Sequence, residues 1–458
     1  MKINVQDFFN QHRLSSQQWI IFGFTFLVAL FDGLDTAAIG YIAPSLLTEW
    51  NLEKSHLAPV MSAALFGLAV GAVSFGPVAD KIGRKTVLII AVFIFSTCSI
   101  ASAFAQNLEQ LEILRFITGV GLGAAMPNAV TLLSEFCPDN KRSLLVNTMF
   151  CGFPVGAAVG GFMSAWLIPQ FGWQSVLIVG GTMPLILCVL MVFMLPESVR
   201  YMVIKNKPTA QIKSILAKID ASANQANEFV LTEKAAVVTN QKSGIAIVLS
   251  KHYLLGSVML WASYFLGLMV FYAMINWMPI LFKEANMPKE LGPIVAGLFA
   301  LGGLGAIANG WLMDRFNGNL LIAAFSFLTA VSVAFIGLSL GWGLAAFIAV
   351  VIFAGIMQNT AQSSLPALAA NFYPTAGRTT GVSWMTGIGR FGGIAGSFLV
   401  AYMVEKHMGL VEIFYILAIP SVIMTVCLLV KNALYKNEAE RMRNKDTETE
   451  TVRHTPSH

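Results

Sequence analysis

The chain has 458 residues, of which 56% are hydrophobic and only 12% charged, and its mean hydropathy is +0.70. Soluble domains carry about a quarter charged residues, so this composition excludes an ordinary soluble protein and points to a polytopic membrane protein. The net charge of +5 does not require a nucleic-acid partner, because the basic residues follow a membrane topology.

Apolar stretches of about 20 residues, the length a helix needs to cross a bilayer, recur about a dozen times, whereas the short alternating segments of a membrane β-barrel are absent. The predicted class is therefore an all-α membrane protein with twelve transmembrane helices in two pseudo-symmetric six-helix halves. Residues 1–17 form a polar N-terminus without the short apolar core and small-residue cleavage site of a signal peptide. Spans are expected at 18–46, 57–78, 86–105, 110–134, 143–166 and 174–195, making a first bundle over 18–195. Residues 196–251 are too polar to cross and read as a linker with room for one short helix. Further spans at 252–282, 292–313, 319–340, 344–371, 379–403 and 410–431 make a second bundle over 252–431, followed by a tail at 432–458.

Lys2, Arg13, Lys81, Arg84, Lys85, Lys141, Arg142, the stretch Arg200 to Lys251, Arg315, Arg378 and the tail from Lys431 fall on one side. Only Lys54, Lys283, Lys289 and Lys406 fall on the other, so both termini are expected in the cytoplasm. The five cysteines lack metal-ligand spacing, so neither a zinc site nor a disulfide framework is expected. No histidine sits mid-span and no phosphate-binding G-x-x-x-x-G-K-[ST] loop occurs, so no cofactor is expected and ATP is not the driver.

The halves repeat each other. GPVADKIGRK (76–85) is echoed by GWLMDRFNGN (310–319) at a separation of 234, and FCPDNKRS (136–143) by FYPTAGRT (372–379) at 236. Duplicated six-span halves about a central site are a transporter architecture.

Charges inside spans are costly and normally face a polar cavity. Asp32 and Asp35 lie three apart in span one, nearly on one helical face, where mutual repulsion couples their titration. Two readings fit: a proton-carrying pair, or fixed partners of an arginine. Arg390, mid-span among glycines expected to leave room beside it, suits either a bidentate substrate carboxylate or a structural ion pair with a first-span acid. Arg115 in span four suits pairing with a first-span acid or plain packing. Asp80, Arg84, Arg142, Asp314, Arg315 and Arg378 sit at the inner rim, where they are expected to form charge networks that hold the inner face closed and break when it opens. Glu135 joins them, with proton release as its alternative role. Of the aromatic and amide side chains, Tyr272, Asn276 and Trp384 are the candidates to meet a ring-bearing ligand.

GPVADKIGRK, RFITGVGLGAA with Arg115, GFPVGAAVGG and PESVRYM together resemble the motifs of the major facilitator superfamily. Asp32-Gly33-Leu34-Asp35, RFITGVGLGAAMPN, NWMP (276–279) and the Arg390 segment resemble, more narrowly, its bacterial aromatic acid:proton symporters. That resemblance implies a proton-coupled importer, in the bacterial inner membrane, of an aromatic carboxylate such as 4-hydroxybenzoate, protocatechuate, benzoate or vanillate, working by alternating access. It further implies proton coupling through Asp32, Asp35, Arg115 and Glu135 and substrate contact through Arg390, Tyr272, Asn276 and Trp384. The expected partners are the acid, the proton and membrane lipid, with a monomeric protein. The competing readings are an exporter of organic acids or drugs, and a membrane sensor, for which linker and tail are too short to supply a signalling domain.

Overall fold

The computed structural model describes residues 2–226, 228–231, 244–284, 287, 288, 290–305, 309, 312, 313, 315–373 and 375–453. Spans one to six are the helices Ser16–Glu49, Leu57–Ile82, Arg84–Ser102, Leu108–Glu135, Asp139–Phe150 continued by Gly152–Phe171, and Gln174–Met194. Spans seven to twelve are Leu254–Glu284, Leu291–Leu301 with a 3-10 turn to Leu304, Gly318–Ser339, Leu344–Phe372, Thr375–Glu405 and Leu410–Arg453. Eleven of these described helices are long and apolar enough to cross a membrane, and the eighth is represented by the shorter apolar stretch Leu291–Leu304. Helices satisfy their own backbone groups, which hydrocarbon demands.

Local chemistry sets several boundaries. Span one starts at a capping box, in which the Ser15 side chain accepts from the Gln18 N–H and the Gln18 side chain accepts from the Ser15 N–H. Gly83 (φ 106°), between spans two and three, takes a left-handed conformation that an L side chain resists.

Small residues set the packing within each half. Gly67 and Gly71 of span two lie against the Phe116 and Val120 backbone of span four, while Gly119 and Gly123 return the contact to Ala64 and Leu68. In the second half, Gly392 and Gly396 of span eleven seat on the Phe265 and Met269 carbonyls of span seven.

Both chain ends and the linker gather on one side, here the terminal side. Lys2–Asn4 pairs in parallel with Glu228–Val230, and Tyr435 at the end of span twelve donates to the His252 carbonyl at 2.7 Å. The linker is more ordered than the sequence suggested. Its described residues carry three short helices, Val199–Ile204, Thr209–Leu216 and Gly244–Val248, a 3-10 turn at Ala221–Gln225 and the paired strand. Val5, Phe8 and Phe9 of the N-terminal helix Val5–Gln11 bury themselves among Phe136, Cys137, Ile212, Leu216 and Phe229, so the N-terminus caps the first half.

The halves meet along spans one and seven, two and eleven, and five and eight. Gly40 lies against the Ile275 and Asn276 backbone, and Gly161 against Pro293 and Gly297. At the far side, Lys283 Nζ donates to the Pro44 carbonyl at 2.9 Å and to Thr48 Oγ1 at 2.7 Å, and its neighbour Glu284 pairs with Lys54. Two adjacent residues ending span seven thus grip span one and the approach to span two. Beside this latch is a cavity of about 480 Å3 that Tyr41, Ser164, Trp173 and Lys283 help to line. Lys283→Met is expected to loosen the junction. In a background without the native cysteines, a cysteine at the buried Ser164 should then react several-fold faster with a water-soluble maleimide, and unchanged labelling would show that the latch holds nothing.

Candidate transport site

The two first-span acids occupy different surroundings. Three residues advance a helix by about 300°, and the remaining 60° is enough to turn Asp32 and Asp35 toward different neighbours. Asp35 faces spans three and four. Arg115 grips it through Nη1 to Oδ1 at 3.1 Å and Nη2 to Oδ2 at 2.7 Å, Nη2 also reaches the Asp35 carbonyl at 3.1 Å, and Ser99 Oγ donates to Oδ1 at 2.7 Å. Both ionic partners are buried, Arg115 completely. Asp32 makes no ion pair among the described residues and accepts only from Thr36 Oγ1 at 3.2 Å, one turn on. Its electrostatic neighbours across the interface are Arg390 and Tyr272. The expectation of one shared face is therefore corrected: Asp35 belongs to a three-span knot inside the first half, and Asp32 looks toward the second.

Arg390 is half-buried, and its Nη1 has no hydrogen-bond partner. Among the described residues it forms no ion pair, so the first-span acids are not its fixed partners here. Of the neighbouring glycines, Gly387, one turn before Arg390, has nothing within 4 Å and leaves the expected room, whereas the others serve close packing. Gly389 lies against the Tyr264 ring, Gly392 against the Phe265 carbonyl and Gly393 against the Tyr272 ring. They let span seven approach, which brings Tyr264 and Tyr272 within electrostatic reach of the guanidinium.

Phe271 meets Phe153 of span five across the halves at 6.3 Å between ring centres, so the middle of span seven is part of the interface. Asn276, one turn beyond Tyr272, is 1% exposed, and its Oδ1 has no partner. Trp384 stands apart. It packs on Trp261 at 5.8 Å between ring centres, and six residues along the helix place it about 9 Å from Arg390 toward the terminal side.

At the terminal rim the described contacts lie within the first half. Arg84 pairs with Glu135 at 3.7 Å, donates to the Ala79 carbonyl at 3.1 Å and lies over the Tyr201 ring, while Ser198 donates to Glu135. Glu197 accepts from the backbone N–H groups of Lys85 and Ser198. Arg142 pairs with Asp139 at 2.9 Å and donates to Gln6 and to the Ser134 carbonyl. These contacts tie spans two to five to the linker and the N-terminus, all on the first half, rather than bridging the halves. Arg315 and Arg378 are exposed. The Asp80 side chain and Asp314 lie outside the described residues. Charges that do bridge the halves stand at the far side, in the Lys283, Glu284 and Lys54 latch, of which Lys54 and Lys283 were expected only as outer-loop charges.

Sequence reasoning also missed Ser99 and Thr36. A signal for Ser99 exists: Ser96, Ser99 and Ser102 recur every three residues and make a hydroxyl stripe on span three.

Two overlapping matches to the Major Facilitator Superfamily profile, over residues 25–363 and 310–456, take in nearly the whole chain. The chain belongs to the Major Facilitator Superfamily. It is 45% identical to the 4-hydroxybenzoate transporter PcaK of Pseudomonas aeruginosa over 96% of this chain and 98% of that protein. It is 43% identical to the gallate transporter of Pseudomonas putida over 93% and 94%, and 31% identical to the benzoate transport protein of Acinetobacter baylyi over 100% and 99%. Among solved structures, the inward-open xylose transporter XylE of E. coli shares the fold with a TM-score of 0.69, at 18% identity over 89% of this chain and 95% of that one. This superfamily member is thus a multi-pass membrane transporter and not an enzyme.

Proposed function

We propose that this chain imports a hydroxylated aromatic carboxylate across the bacterial inner membrane together with protons, as a monomer driven by the proton gradient and without a cofactor. The observation that carries the reading is the half-buried Arg390 with no ion pair among the described residues, held at the interface of the halves opposite Asp32. A guanidinium there is a ready partner for a carboxylate, because its planar fork presents two parallel donors. The names of the 45% and 43% identical relatives supply the chemical class.

The basic terminal side is the cytoplasmic side in this reading, and the latched far side is the periplasmic one. The latch between the halves at the far side corresponds to a state closed toward the periplasm. In the opposite state Asp32 takes a proton and Arg390 the substrate carboxylate. Closure of the far side by Lys283 and Glu284 then commits both to the cytoplasm. Asp35 and Arg115 hold span one against spans three and four while the halves rock. Arg84, Glu135 and Arg142 keep the terminal end of the first half a rigid body, and Arg315 and Arg378 line its counterpart.

Purified protein in liposomes should accumulate labelled 4-hydroxybenzoate when the outside is made acidic, by several-fold over vesicles treated with a protonophore. Equal accumulation with the pH difference and the voltage both collapsed would refute proton coupling.

A further inference from the structure

Asn276 holds a buried oxygen that the protein itself leaves unanswered. The residue is 1% exposed, and its Oδ1 has no hydrogen-bond partner, a state that costs a protein stability unless a visiting group relieves it. Its position is informative. Tyr272, four residues earlier on the same helical face, lies against Gly393 of span eleven and within electrostatic reach of both Arg390 and Asp32. Asn276 stands one turn, about 6 Å, beyond it toward the far side, a separation like that between the carboxyl carbon and the para hydroxyl oxygen of a hydroxybenzoate. Its backbone meets Gly40 of span one, so the amide sits where the halves close on each other.

From this arrangement we infer that Asn276 is a specificity-determining residue. Its Oδ1 accepts a hydrogen bond from the ring hydroxyl of an aromatic acid whose carboxylate is held at Arg390. The inference rests on the proposed transport of aromatic acids and deepens it by naming which member of that class the site prefers. An orphaned acceptor rewards a donor and penalises its absence. A phenol para to the carboxylate satisfies it, an unsubstituted ring leaves it bare, and a methoxy group brings a second acceptor and no proton. Sites built to hydrogen-bond a hydroxyl discriminate strongly against the analogue lacking it, because the binding group is then stranded.

The test compares inhibition constants of 4-hydroxybenzoate, benzoate and 4-methoxybenzoate against one labelled substrate in the same vesicles, so that the ratio cancels the amount of active protein. The wild type should favour 4-hydroxybenzoate by about 10-fold or more over both analogues. Asn276→Leu, of the same branched outline though bulkier, should bring the three within about 3-fold of one another by weakening chiefly the hydroxylated ligand. Asn276→Ser, which keeps an oxygen in a smaller side chain, should fall between and guards against a fold defect in the first variant. A preference unchanged in Asn276→Leu overturns the inference while leaving the transport reading intact. Failure of the wild type to transport or bind any of the three overturns the transport reading itself.

Discussion

Asp35→Asn is expected to destabilise the protein strongly, and Asp32→Asn to leave its stability nearly intact while uncoupling transport from the proton. Arg115 is completely buried, and Asp35 supplies its ionic partner. Removing that partner strands a guanidinium in a low-dielectric interior, a change of about 3–5 kcal/mol. Asp32 gives up one hydrogen bond from Thr36, worth about 1 kcal/mol. Thermal unfolding of the purified variants in detergent should therefore rank Asp35→Asn well below Asp32→Asn. Asp35→Asn combined with Arg115→Met should regain part of the loss, since the stranded charge has gone. In vesicles, Asp32→Asn should still exchange labelled for unlabelled substrate yet fail to concentrate it against a gradient. The opposite ranking, with Asp35→Asn melting like the wild type and alone losing accumulation, would transfer the proton to Asp35.

Arg390→Gln is expected to weaken binding of an aromatic carboxylate by about 100-fold or more, because two charge-assisted hydrogen bonds are lost together. Arg390→Lys should recover little, since an ammonium provides charge without the planar pair of donors. Arg390 makes no ion pair among the described residues but is the electrostatic neighbour of the buried Asp32, so Arg390→Lys, which keeps the charge, should melt close to the wild type and Arg390→Gln somewhat below it. The neutral amide of the same acid should bind wild type and Arg390→Gln about equally weakly. Binding of the carboxylate measured by calorimetry decides the matter: a loss under about 3-fold in Arg390→Gln would remove the guanidinium from the substrate site.

Much of the fold is written locally. Each span is apolar over a bilayer's width, and Ser15 with Gln18, Asn107 and Asn317 mark helix starts through hydrogen bonds made within a few residues. The acids and arginines of the site were legible for the same reason, since a charge in an apolar run stands out and is expensive. Their partners were not. Asp32 and Asp35 look alike in sequence, and only the packing of spans three and four assigns Arg115 and Ser99 to Asp35. The glycines around Arg390 signalled room beside the guanidinium, but not that the Tyr264 and Tyr272 rings pack against two of them. Lys54 and Lys283 looked like ordinary outer-loop charges, because their importance depends on how the two halves face each other. The strand Lys2–Asn4 is too short for any periodicity to reveal, and its partner lies beyond the whole first bundle in the chain.

That strand has a bearing on how the protein is made. The cap over the first half needs Glu228–Val230, which leaves the ribosome only after all six spans of that half have been synthesised. Until then Val5, Phe8 and Phe9 lack part of their cover, and the nascent bundle carries an exposed apolar patch at its terminal end. A bulky fusion placed directly before Lys2 would burden this late docking step, whereas a fusion after the C-terminal helix would leave it alone.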